Sequence, residues 1–144
     1  MPDSVWSRTL REFRERVAGT ARAPAGVATA CVTAALGMSL LIKVLEIAGR
    51  RKAIPREWIG RAQRIAADLA LAADEDTAAV LARDVAKMSA IPPAAARAAG
   101  EGIELCAEAA PRIDGAIAAD LAAAAHLLRG AMDAIRACTS GEPG

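Results

Sequence analysis

An aspartate set into an apolar stripe is where chemistry is first expected in this chain. At 100° per residue, Ile65, Leu69 and Val80 fall within about 40° of Trp58, with Ala62 and Ala73 close by. Asp76 lies on the same line, in the middle of the stripe, while Asp74 and Glu75 project elsewhere. A carboxylate facing a core is costly unless paired or hydrogen-bonded. Such a group has a shifted pKa and suits proton transfer. The same position also fits a structural ion pair with Arg83, two turns on along the same face. Asp120 is the second candidate. It sits at the edge of the stripe made by Ile117, Leu121, Ala124, Leu128, Ala131 and Ile135, and is expected to be half-buried.

Other chemistry finds little support. His126, the one histidine, lies about 180° from Ile117, on the polar side of its helix. Cys31, Cys106 and Cys138 have no metal spacing, so a zinc site is not expected and no metal is implied. Neither GxGxxG nor GxxxxGK[ST] occurs. The turn Pro24-Ala25-Gly26 leads straight into a helix, whose free N–H groups favour an anion; this signal is weak, since every helix has such an end.

The elements that must position these residues are all helical. Alanine dominates the apolar residues, and no window alternates as a strand would. The pattern predicts helices over about 4–18, 26–48, 55–88, 93–110 and 113–138. The first has Trp6, Leu10, Phe13 and Val17 on one face. Ile91-Pro92-Pro93 predicts a linker between the third and fourth. Residues 23–42 carry no charge, long enough for a membrane span or for a helix buried on every side. The stretch is rich in Ala, Thr, Gly and Ser and lacks an aromatic belt, and four amphipathic helices need a partner. A buried helix and no membrane association are therefore expected. The fold class is all-α: a compact bundle of about five helices around a buried small-residue central helix. It forms one domain over 1–138, with a flexible tail at 139–144.

Composition narrows the setting. The net charge of +1, with acids and bases interspersed, and 2% aromatic residues argue against nucleic-acid binding. The scattered cysteines fit a reducing, cytoplasmic location, and the charged N-terminus does not read as a signal peptide. Alanine-rich faces left over from five helices predict a homodimer.

The order of these features resembles the cyclodeaminase/cyclohydrolase family, the folate domain of formiminotransferase-cyclodeaminase and of stand-alone methenyltetrahydrofolate cyclohydrolases. The resemblance covers about residues 4–136. The family's Pro-Gly-Gly-Gly-Ser turn stands here as Pro24-Ala25-Gly26-Val27-Ala28, so Pro24 and Gly26 match. The family's Asp-x-Asp-Ala-x-Ala-Phe stands as Asp74-Glu75-Asp76-Thr77-Ala78-Ala79-Val80, with both aspartates kept and the aromatic lost. Its Ser-Asp stands as Ala119-Asp120. The connection from the third helix to the fourth is shorter than in the family. The resemblance implies an enzyme acting on a tetrahydrofolate one-carbon unit, closing a formimino group with ammonia loss or hydrolysing a methenyl bridge. It implies Asp76 and Asp120 as catalytic groups, and Pro24, Gly26 and Asp74 as substrate contacts. The degenerate turn and shorter connection also admit the same scaffold working on another biosynthetic cyclisation or dehydration, or a non-catalytic helical module.

Overall fold

The computed structural model describes residues 3–52 and 54–140. It is all-α, and no strand occurs among the described residues. A 3₁₀ turn at Val5–Ser7 is followed by α1 (Leu10–Ala18), α2 (Gly26–Arg51), α3 (Arg56–Ala82) and α4 (Val85–Ala109). A second 3₁₀ turn at Ala110–Arg112 leads to α5 (Ile117–Ser140).

Local chemistry explains most of the boundaries. Thr9 caps α1, its hydroxyl accepting the Glu12 N–H at 3.0 Å in a Thr-x-x-Glu start. Within α2 the hydroxyls of Thr29, Thr33 and Ser39 donate to the carbonyls one turn back, at 2.7, 2.9 and 3.0 Å. These bonds satisfy polar side chains inside an apolar helix. Arg50 and Arg51 close α2, where cations complement the helix dipole.

The expected break between the third and fourth helices is displaced. It falls at Arg83, which is left-handed at φ 55°, and at Asp84, whose carboxylate caps α4 by accepting the Lys87 N–H at 3.2 Å. The predicted linker at Ile91-Pro92-Pro93 is instead the interior of α4. Two prolines remove two ladder bonds, at about 3 kcal/mol each in an isolated helix. Burial of Ile91, Pro92, Ala95 and Ala96 on that segment offsets the loss. The fifth helix begins at 117 rather than 113, after Gly115 at φ +72°, and runs on through residue 140. Residues 141–144 of the expected tail lie outside the described residues.

The four long helices form an up-and-down bundle. Each packs against its chain neighbour, α5 closes back on α2, and α2 and α4 lie diagonally opposite. Glycines set how closely they meet. A β-carbon on Gly102 of α4 would lie 2.6 Å from Met38 Sδ of α2 and 3.1 Å from a Leu128 methyl of α5. The most deeply buried helix is α2, with Cys31, Met38, Leu41, Val44 and Leu45 all fully buried. By length and composition α2 could cross a membrane, yet 56% of that stretch is buried within the bundle. The apolar face expected for the first helix is less covered than its spacing implies. Phe13 reaches the core, but Leu10 is 79% exposed and α1 contributes no buried residue.

Candidate functional site

Asp76 is the one buried charged residue among the described residues, at 5% exposure. It sits in the apolar stripe of α3, between buried Ala73 and Ala79. Burial raises its pKa above the ordinary carboxylate range. Its charge reaches Cys31 on α2. That thiol is pushed up to about 12, by burial first and by Asp76 second. Cys106, likewise buried, is pushed up to about 11. Both thiols stay protonated and act as small core residues.

The alternative ion pair is not made. Arg83 is exposed where it ends α3, and no salt bridge or hydrogen bond joins it to Asp76. No fully buried side-chain polar atom lacks a partner among the described residues, so the Asp76 carboxylate keeps a narrow contact with solvent. A carboxyl group so placed holds its proton to higher pH than usual and can still exchange it.

Asp74 has different surroundings. The Ser4 hydroxyl donates to one of its oxygens at 2.6 Å and the Val5 N–H donates to the other at 2.7 Å. The Trp6 indole N–H adds a bond to the Ala70 carbonyl at 2.8 Å. Asp74 therefore ties the N-terminal segment to α3. Nothing in the local sequence signals this, because the partners are 70 and 69 residues away.

The turn before α2 opens onto a cleft of about 440 Å³. Gly26, Thr29 and Thr33 line it from α2, Gly130 and Ala134 from α5, and Val17 from α1. Pro24, two residues before Gly26, is buried and does not line the cleft; its peptide bond with Ala23 is cis. Ala25, the residue before α2, offers no side-chain cap, so the first N–H groups of α2 have no side-chain acceptor. The sequence reading missed Val17 and Gly130 here, since their place depends on how α1 and α5 pass the start of α2.

Asp120 lies half-buried in the first turn of α5, as expected, where a carboxylate complements the helix dipole. It is remote from Asp76. A β-carbon on Gly37 of α2 would touch Leu127 and the Ala124 carbonyl, so Asp120 lies a turn further toward the C-terminal end of α2. Asp76 is instead level with Cys31. At 1.5 Å per residue the two carboxylates are separated by roughly 15 Å along α2. Neither lines the cleft at Gly26. The cleft lies on the α5 side of α2 and Asp76 on the α3 side. Within one chain the expected site residues thus occupy three places. His126 is exposed, as its helical position implies.

A family model described as formiminotransferase-cyclodeaminase matches residues 9–83, just over half of the chain. The match runs from the cap of α1 to the residue that ends α3, and includes Pro24, Gly26, Asp74 and Asp76 but not Asp120. No curated protein and no solved structure matches the chain.

Proposed function

The chain belongs to the formiminotransferase-cyclodeaminase family, and from that premise we propose that it is an enzyme acting on a tetrahydrofolate one-carbon unit. The observation that carries this reading is Asp76: buried, unpaired, raised in pKa and inside the matched segment. In ring closure, a folate nitrogen attacks the formimino carbon and the amino group leaves as ammonia. The leaving nitrogen must gain a proton and the attacking nitrogen must lose one. A carboxyl group that burial makes hold its proton to higher pH than usual suits the first transfer, and its carboxylate the second. Hydrolysis of a methenyl bridge makes the same demand on a water molecule. This chemistry rests on acid–base groups and requires no metal. In this reading Asp120 stabilises the cationic carbon, and the turn at Pro24 and Gly26 holds substrate, with Asp74 fixing the α3 segment beside Asp76. The separation of Asp76, Asp120 and the turn favours a site completed across a homodimer. We place this activity in the cytoplasm.

The test is ammonia release from formimino-tetrahydrofolate, and methenyl-tetrahydrofolate hydrolysis above the buffer rate. Wild type is expected to turn over one of them, and Asp76→Asn to lose at least about a hundredfold of that rate. Full activity in a folded Asp76→Asn protein removes Asp76 from the mechanism. Absence of both activities favours the second reading, a non-catalytic helical module on the family scaffold. The engagement of Asp74 by Ser4 and Val5 supports that reading, because it leaves one expected substrate contact occupied.

A further inference from the structure

Near the opposite end of α2 from Gly26, basic side chains surround a second hollow of about 610 Å³. Arg50 and Lys52 border it from the end of α2, and Arg56 from the first residue of α3. Gly49 and Gly60 leave it open, since a β-carbon on either would meet nothing within 4 Å. Lys52 is held by Asp114 at 2.7 Å. Arg50 and Arg56 form no salt bridge with any described residue. Glu46 is the one carboxylate on its walls.

Helix electrostatics accounts for Arg50, near the carbonyl end of α2. It does not account for Arg56. That residue opens α3, where free N–H groups already present positive charge. Pro55 before it supplies no side-chain acceptor, and Glu57, the acid of that turn, does not line the hollow. Positive charge therefore accumulates from two sources in one concave place. Concavity favours a small molecule over a flat membrane or a duplex.

We propose that this hollow binds the oxyanion group, phosphoryl or carboxylate, of a small molecule between Arg50 and Arg56. Guanidinium groups recognise either oxyanion through paired N–H donors. Glu46 repels the anion from its own wall and so directs it toward the arginines. Arg50 lies roughly 36 Å along α2 from Gly26, and none of Pro24, Gly26, Asp74, Asp76 and Asp120 lines the hollow, so the proposal does not rest on the folate reading.

Calorimetric titration of the full chain with inorganic pyrophosphate, and separately with citrate, tests the proposal. At least one anion is expected to bind saturably and more weakly as salt is added. Arg50→Gln and Arg56→Gln should each weaken it about tenfold or more. Arg97→Gln, an exposed arginine on α4, should leave it unchanged. The preferred anion distinguishes phosphoryl from carboxylate recognition. Absence of saturable binding for both anions at millimolar concentration, or an equal loss in Arg97→Gln, overturns the proposal.

Discussion

Asp76 and Asp74 are two residues apart and have opposite roles in the same helix. Asp76 faces the α2 side without a partner, so its protonated form is favoured on folding. The folded state then binds more proton than the unfolded chain, and stability falls as pH rises from about 3.9 through the raised folded value. Asp76→Asn should therefore be more stable than wild type at pH 7, with the difference closing toward pH 4. Urea midpoints across that range measure it, and parallel curves would refute a buried ionising Asp76. Asp74→Ala should instead destabilise by roughly 1–3 kcal/mol, because it removes bonds to a charged acceptor. The same urea experiment reads this loss, and Ser4→Ala should reproduce part of it.

At the scale of elements, glycines give opposite expectations by position. Gly102→Ala adds helix propensity, but its methyl would press on fully buried Met38 and Leu128. Overpacking of about 1–3 kcal/mol outweighs a propensity gain of about 1 kcal/mol. Gly130→Ala meets nothing within 4 Å on an exposed helix side and should stabilise by roughly 0.5–1 kcal/mol. Thermal melts of the pair check the sign of each. The α3–α4 junction makes a related point. Asp84 is an ordinary cap signal, yet Pro92 and Pro93 are the stronger breakers by local rules, and core packing carried α4 through them.

For the whole molecule, the outward side of α2 is one apolar surface that a single bundle leaves uncovered. Leu36 is 48% exposed and Leu127 of α5, which meets α2 at Gly37, is 38% exposed, with no charge on α2 between Gly26 and Ile42. We propose this face as the interface of the homodimer. Light scattering on the eluted protein should give twice 14.8 kDa, and Leu36→Glu should return it to one chain. A wild-type monomer would contradict the dimer.

The helical class, the depth of α2 in the bundle and the burial of Asp76 were all legible in the sequence, because 3.6-residue periodicity is a local property that packing then used. The family was legible too, through the order of its short motifs. Tertiary structure alone decided which groups meet. It joined Asp74 to Ser4, brought Cys31 beside Asp76, separated Asp76 from Asp120 and gathered Arg50 and Arg56 around one hollow. Helical spacing assigns each residue to a face of its own helix. Only the register and rotation of neighbouring helices determine what that face encounters.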